Sequence, residues 1–261
     1  MKFGCCISKI DDLIRVKAAG YVFFEFAGCT AAAMSESEFD ALCAEQARTG
    51  LPCIGFNAYS AGIPAIIGHN VSDSATASYA ELLCRRGKRL GISALGIGSP
   101  NARRLPADMD KSDADAQFMR FIRIAAGAAK DHGMCVLVEA VHSGMCNYLN
   151  GTLDAAEITR LIGLDNVGMV LDFYHMAEMG EDYSLAAAAA PYLRHVHFST
   201  SGSGLWRGFP QKADFDEYRG IFVILKSIGY DGTVSIEPSE FEPEQASSCL
   251  ELLKRLEAEI K

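Results

Sequence analysis

The run VGMVLD, residues 167–172, is a short apolar stretch that ends on a carboxylate. Runs of four to eight Val, Ile and Leu residues are typical of strands buried on both faces of a parallel sheet. Three other short runs nearby also end on an acidic or imidazole side chain: CVLVE (135–139), LRHVH (193–197) and TVSIE (233–237). We therefore predict four successive strands, whose ends carry four residues able to bind a metal ion: Glu139, Asp172, His197 and Glu237.

Outward from these runs, apolar stretches alternate with longer segments of helical periodicity along the whole chain. We predict strands at residues 3–7, 21–26, 53–57, 92–98, 134–139, 167–172, 193–198 and 232–237. Helical patterns lie near residues 10–18, 36–49, 74–90, 113–131, 153–163, 183–190, 214–228 and 245–260. Eight strands alternating with eight helices is the pattern of a (β/α)8 TIM barrel. No linker divides the chain, so residues 1–261 are predicted to form one α/β domain of this kind.

Two local motifs support these boundaries. Ser35-x-x-Glu38 and Asp214-x-x-Glu217 match capping boxes and predict helix starts. Gly96-x-Gly98 is followed by Asn101 where a dinucleotide-binding turn has a third glycine. A doubly wound nucleotide-binding fold is therefore not favoured.

The composition of the chain narrows its function class. The sequence has 261 residues, of which 49% are hydrophobic and 22% charged, and a net charge of −9. Nucleic-acid binding needs a basic surface, so a nucleic-acid partner is not expected. No apolar run reaches the ~18 residues that a membrane span needs. The nine scattered cysteines include no C-x-x-C pair, which predicts a reducing, cytoplasmic location.

The four strand-end residues predict a metal site. In a parallel barrel the carboxyl ends of neighbouring strands meet at one rim, where catalysis occurs. Three carboxylates and one imidazole suit one divalent ion, with Mn²⁺ as first choice and Mg²⁺, Co²⁺ or Zn²⁺ as alternatives. Any one of these residues alone could equally be a solvated turn residue or a helix cap. Because all four occur at the ends of consecutive strands, a metal site is favoured.

Other residues near these strand ends are candidates to line a pocket around the metal site, although each could also be an ordinary turn or surface residue. His175 follows Asp172 by three residues, and Arg207 lies on a Gly/Ser-rich loop after the seventh strand. His195, two residues before His197, is expected to be a buried structural imidazole. Trp206 is expected to pack over the site. The predicted ends of the second, third and fourth strands add three more candidates: Glu25, Asn57 and Ser99.

Five segments resemble a known family, in its order and at its spacing: GIGSPNARRLP, VLVEAVHSGMCNYLNG, VGMVLDFYHM, LRHVHFSTSGSGLWRG and GYDGTVSIEP. From about Tyr21 to Glu237 the chain resembles the sugar-phosphate isomerase/epimerase group of xylose-isomerase-like barrels, especially ketose 3-epimerases and hydroxypyruvate isomerase. The resemblance implies one divalent ion bound by Glu139, Asp172, His197 and Glu237. It also implies substrate contacts from His175 and Arg207, and often a homodimer or homotetramer.

The sequence departs from that family in the substrate shell. Met145 stands where the epimerases commonly have a second glutamate, six residues after Glu139, and His142 stands where asparagine is common. This departure leaves the identity of the ketose open. His142 and the strand-end residue Glu25 are also predicted to contact the substrate.

The predicted activity is isomerisation or epimerisation of a ketose or related small carbohydrate through an enediolate, with Glu139 and Glu237 as the acid/base pair. A dehydratase or C-glycoside-cleaving lyase on the same barrel is an alternative. An endonuclease IV-like phosphodiesterase is less favoured, because such enzymes need three zinc ions and more histidines than the six present. A non-catalytic sugar-binding protein is the remaining alternative.

Overall fold

Eight parallel strands close into a barrel in the computed structural model, which describes residues 1–201 and 207–260. The strands are β1 (Lys2–Ile7), β2 (Phe23–Ala27), β3 (Cys53–Asn57), β4 (Ala94–Ile97), β5 (Cys135–Glu139), β6 (Val167–Asp172), β7 (Leu193–Phe198) and β8 (Thr233–Ile236). Each strand pairs with the next along the chain, and β8 pairs with β1 to complete the ring. The predicted TIM barrel is confirmed.

Helices surround the barrel and connect its strands. They are α1 (Asp12–Ala19), α2 (Gly28–Ala33), α3 (Glu36–Thr49), α4 (Asp73–Leu90), α5 (Lys111–Asp131), α6 (Thr152–Ile162), α7 (Phe173–Glu178), α8 (Ala186–Ala189), α9 (Phe215–Ser227) and α10 (Pro243–Glu259). The sequence pattern did not predict α2 and α7. Both have six residues and begin directly at a strand end, so they are too short to show an amphipathic period.

One of the two predicted capping boxes is present. The Ser35 side chain accepts from the backbone of Glu38, whose carboxylate accepts from the Ser35 N–H, and this closes the start of α3. The box predicted at Asp214 is wrong. Its carboxylate instead accepts from the Gln211 N–H at 2.7 Å and caps the 3₁₀ turn Lys212–Asp214, so it is not available to α9.

The hydrophobic core lies mainly between the strands and the helices. Large aromatic side chains such as Phe39, Phe118 and Phe222 are fully buried there. Burying one such side chain contributes about 1.5–3 kcal/mol relative to leaving it exposed. This apolar shell therefore supplies much of the stability, while the barrel interior holds polar groups beside small residues such as Gly55.

None of the helices in the described part of the chain is long and apolar enough to cross a membrane.

Candidate metal centre and active site

The barrel brings the four predicted metal ligands to one rim. Glu139 and Asp172 are the last residues of β5 and β6, His197 is the last but one of β7, and Glu237 directly follows β8. Asp172 pairs in register with His197, and the Glu237 N–H donates to the Phe198 carbonyl, which extends the β7–β8 ladder by one residue. One ligand atom from each of the four residues lies within 4.8 Å of the others.

His197 lies between two glutamates of this group. Its Nδ1 is 3.1 Å from Glu139 Oε1 and 3.4 Å from Glu237 Oε2. Of the four predicted ligands, Glu237 is half-buried and the other three are buried. Three carboxylates that share a buried space repel one another unless cations offset their charge. The donor set of three carboxylate oxygens and one imidazole nitrogen fits a single divalent ion of the Mn²⁺, Mg²⁺, Co²⁺ or Zn²⁺ class.

The surroundings shift the pKa values of the three carboxyl groups differently. Burial raises the pKa of Glu139, although His197 opposes the shift. Burial alone would also raise the pKa of Asp172, but Arg207 and His175 hold it below its ordinary value. At Glu237 the effect of Arg207 and His197 likewise outweighs burial and lowers the pKa. The two glutamates of the predicted acid/base pair therefore differ in proton affinity.

Arg207 lies across this group of carboxylates and not on the surface. Its Nη2 is 2.5 Å from Asp172 Oδ2 and 2.7 Å from Glu237 Oε2. Its Nε donates to Ser199 Oγ at 2.9 Å, and its guanidinium lies 4.6 Å from the centre of the Tyr174 ring. These contacts fix the head group in the site, where it balances part of the negative charge.

Two histidines lie beside Asp172. His175 Nε2 is 3.6 Å from Asp172 Oδ2, and His175 Nδ1 accepts from the backbone N–H of His142 at 3.4 Å. Burial lowers the pKa of His175 to about 3, so its ring is neutral near pH 7. The His142 ring lies 5.3 Å from that of His175, and its buried Nε2 has no hydrogen-bond partner in the described structure.

Glu25 lies deeper in the barrel than the sequence predicted. It is the third of five residues in β2 and does not end the strand, so that part of the prediction is wrong. Its Oε1 lies 2.7 Å from His195 Nε2 and 3.2 Å from His197 Nε2. Burial alone would raise the pKa of Glu25, but the two imidazoles hold it well below its ordinary value. His195 is buried beneath the rim, as predicted.

Two other strand-end candidates have different surroundings. Asn57 ends β3 and donates from Nδ2 to Glu237 Oε1 at 2.8 Å, so it contacts the site directly. Ser99 lies two residues beyond β4, and its Oγ accepts from the Ser60 N–H at 2.9 Å. Ser99 therefore has a turn role. Trp206 lies outside the described residues.

The loop after β4 supports Glu139. Arg103 is completely buried and donates from Nη1 to the Glu139 carbonyl at 2.8 Å, so it holds the backbone of this residue. A Cβ atom at Gly98 would collide with the Glu139 carboxylate. The second glycine of the Gly96-x-Gly98 pair therefore makes room for a site carboxylate.

Sequence reasoning missed two residues that contact Arg207. Tyr174 supports the guanidinium from one side and Ser199 accepts its Nε–H. Both lie next to predicted site segments, Tyr174 in LDFYH and Ser199 just after LRHVHF. Their position next to these segments was the only feature of the sequence that could have indicated a role in the site. Residues beyond the end of a strand do not alternate between its two faces, so the direction of their side chains could not be predicted.

A comparison with protein families agrees with this architecture. The family profile described as xylose isomerase-like TIM barrel matches residues 13–256. The chain belongs to this family.

Curated relatives of this xylose isomerase-like chain include sugar isomerases and epimerases. An inosose isomerase of Halalkalibacterium halodurans is 30% identical over 145 residues, which cover 51% of this chain and 49% of that protein. A ketose 3-epimerase of Arthrobacter globiformis is 36% identical over 114 residues, 43% of this chain and 37% of that protein. The matches thus span about half the length of these relatives or less.

A solved structure matches over nearly the whole chain. A D-allulose 3-epimerase from Methylomonas sp., in complex with D-allulose, has a TM-score of 0.81 and 16% identity, and the match covers 98% of this chain and 96% of the other. At this identity the similarity establishes the fold alone.

Proposed function

We propose that this protein is a divalent-metal-dependent isomerase or epimerase that acts on a ketose or a related small carbohydrate. The observation that carries the proposal is the convergence of Glu139, Asp172, His197 and Glu237 within 4.8 Å at the catalytic rim of the barrel. Two of the relatives, an inosose isomerase and a ketose 3-epimerase, support the same class.

The four convergent residues would hold the ion, with Mn²⁺ as first choice and Mg²⁺, Co²⁺ or Zn²⁺ as alternatives. When bound, such an ion supplies Lewis-acid stabilisation of the negative charge that develops on the substrate oxygens. Asp172 and His197 have mainly this holding role.

Glu139 and Glu237 form the proposed acid/base pair. One carboxylate takes the proton from the carbon next to the substrate carbonyl, which gives an enediolate. The other glutamate returns a proton to the opposite face or to the neighbouring carbon. The two lie on either side of His197, and their pKa values are shifted in opposite directions. Environments that separate two carboxyl pKa values in this way suit one acid and one base.

Three further residues would orient the substrate. The neutral His175 lies beside Asp172, the His142 ring packs beside that of His175, and both would bind sugar hydroxyls. Arg207 already contacts two of the carboxylates and would polarise the carbonyl. His142 and Met145 are the positions where the substrate shell departs from the resembled epimerases, so they would set which sugar is accepted.

Nine cysteines, all unpaired thiols, favour a reducing compartment, and we propose a cytoplasmic role in carbohydrate metabolism.

The proposal is tested by incubating the protein and Mn²⁺ with a panel of ketoses and ketose phosphates in D₂O and recording NMR spectra. An isomerase or epimerase gives a product of unchanged composition with deuterium at a carbon that was next to the carbonyl. A product that has lost water or an aglycone would instead identify a dehydratase or lyase. Binding without any deuterium exchange would identify a non-catalytic sugar-binding protein.

A further inference from the structure

Directly beneath the proposed metal site lies a second polar group, which we call the inner cluster: the buried Glu25 and His195 and the part-buried Thr233. Glu25 and His195 are about 5% exposed, and His197 above them is 1% exposed. One oxygen of Glu25, Oε1, lies 2.7 Å from His195 Nε2 and 3.2 Å from His197 Nε2. The inner cluster therefore contacts the proposed metal centre through His197 and not through its carboxylates.

The hydrogen-bond directions follow from the chemistry of these groups. An ionised carboxylate only accepts hydrogen bonds, so both Nε2 atoms carry the hydrogen that points at Glu25. An imidazole that binds a metal ion has one N–H, so with Nε2–H fixed the lone pair of His197 is on Nδ1. That Nδ1 faces Glu139 and Glu237. Glu25 therefore selects the His197 tautomer that presents a lone pair to the ion.

Glu25 is itself held in place from two sides. His195 anchors Oε1, and the other ring nitrogen of His195 lies 2.7 Å from the hydroxyl of Thr233. On the other side Gly55 packs against the carboxylate, since a Cβ there would come within 3.3 Å of Glu25 Oε2. The acceptor that His197 uses is therefore fixed in position by the surrounding barrel.

We propose that Glu25, anchored by His195, is a positioning residue that holds His197 with its Nδ1 aimed into the metal site. This inference rests on the proposed function and deepens it. Groups that hydrogen-bond to a metal-ligating histidine typically change metal affinity about 10–100-fold when they are removed. A purely structural role for the same contacts would affect the stability of the barrel and leave metal affinity unchanged.

The test measures Mn²⁺ affinity by calorimetry and by the EPR signal of free Mn²⁺, together with the melting temperature in EDTA. Glu25→Leu leaves the His197 N–H without an acceptor, and we expect affinity to fall about 100-fold. Glu25→Gln keeps an oxygen acceptor, and we expect a fall of about 10-fold. His195→Gln should lower affinity less than Glu25→Leu, because Glu25 keeps its bond to His197.

Glu181→Gln is the matched control. Glu181 is a half-buried carboxylate that accepts two hydrogen bonds from Thr152 and has no contact with the four ligands among the described residues. Its substitution should leave Mn²⁺ affinity unchanged. If Glu25→Leu does not fold, the isosteric Glu25→Gln decides the question.

Two results would overturn the inference and are distinguishable. Wild-type affinity in both Glu25 variants, with or without a lower melting temperature, would show that Glu25 is only structural, while the proposed function stands. A wild-type protein that binds no Mn²⁺, Mg²⁺, Co²⁺ or Zn²⁺ would overturn the proposed function and this inference with it.

Discussion

Two buried polar groups lie one above the other in this barrel, and they differ in charge balance. The rim cluster contains three carboxylates against one imidazole and one guanidinium, namely Glu139, Asp172, Glu237, His197 and Arg207. The inner cluster contains one carboxylate and one imidazole, Glu25 and His195, and the same carboxylate also contacts His197 of the rim cluster. The hydrogen bonds of the inner cluster are satisfied within the protein, whereas the rim has an excess of acceptors and negative charge. The rim is therefore suited to a cation, and the inner cluster to fixing geometry.

The largest expected effect comes from neutralising the acid/base pair of the rim. Glu139→Gln and Glu237→Gln should each lower kcat by about 10²–10⁴-fold, because proton transfer loses its carboxyl group. The melting temperature in EDTA should stay the same or rise, since each change removes one of three crowded negative charges. Steady-state kinetics and thermal unfolding measure both effects. The control is Glu157→Gln on the exposed surface of α6. Variants that retain most of their turnover would contradict the assignment.

The next largest effect tests whether the positive charge of Arg207 offsets the negative charge of the rim carboxylates. Arg207→Ala leaves Asp172 and Glu237 without their buried counter-charge, and we expect the free energy of unfolding in EDTA to fall by about 3 kcal/mol. Arg207→Lys keeps the charge and should lose less. Urea unfolding measures the difference. An Arg207→Ala protein as stable as the wild type would show that the rim needs no internal cation.

Mn²⁺ should stabilise the folded protein by binding at the rim cluster. At a concentration about 100 times the dissociation constant, a bound ion adds about 2.7 kcal/mol to the free energy of unfolding. EDTA should remove this stabilisation together with activity, and Mn²⁺, Co²⁺ or Mg²⁺ should restore both. In Asp172→Asn the ion should stabilise much less. Activity that is indifferent to chelation would disprove the metal site.

The smallest expected effect is a pH dependence from His175, which lies between the rim and His142. Burial lowers its pKa from an ordinary 6.5 to about 3. Because the folded-state pKa is the lower one, the unfolded chain takes up the proton first as pH falls, so the fold loses stability below about pH 6.5. At pH 5 the loss amounts to about 2 kcal/mol.

The variant His175→Gln isolates this contribution. Relative to pH 8, where the imidazole is neutral in both states, the variant should lose about 2 kcal/mol less than the wild type on acidification to pH 5. Urea unfolding in EDTA at the two pH values gives the comparison. Parallel pH profiles for the two proteins would show that His175 titrates normally.

Much of the rim was predictable because it depends on strand ends. The residues Glu139 and Asp172 close apolar runs, and parallel strands in a barrel present their carboxyl ends at one face. Glu25 shows the limit of this reasoning. The run YVFFEF suggested a strand that ends near Glu25, but β2 begins at Phe23 and ends at Ala27, so the carboxylate is two residues deeper. The strand end lies only one residue beyond the predicted one, and even this small difference changes a rim residue into an interior one.

By itself the sequence determined the alternation of strands and helices, the order of the strands around the barrel and the four residues that meet at its rim. These follow from the period of the apolar residues and from the direction of parallel strands, which are local properties. Only the tertiary structure decided that Arg207 lies across the carboxylates, that Arg103 is buried behind Glu139 and that Glu25 joins His195 to His197. These contacts link residues 30 to 172 positions apart in the chain, so they are fixed only when the barrel closes.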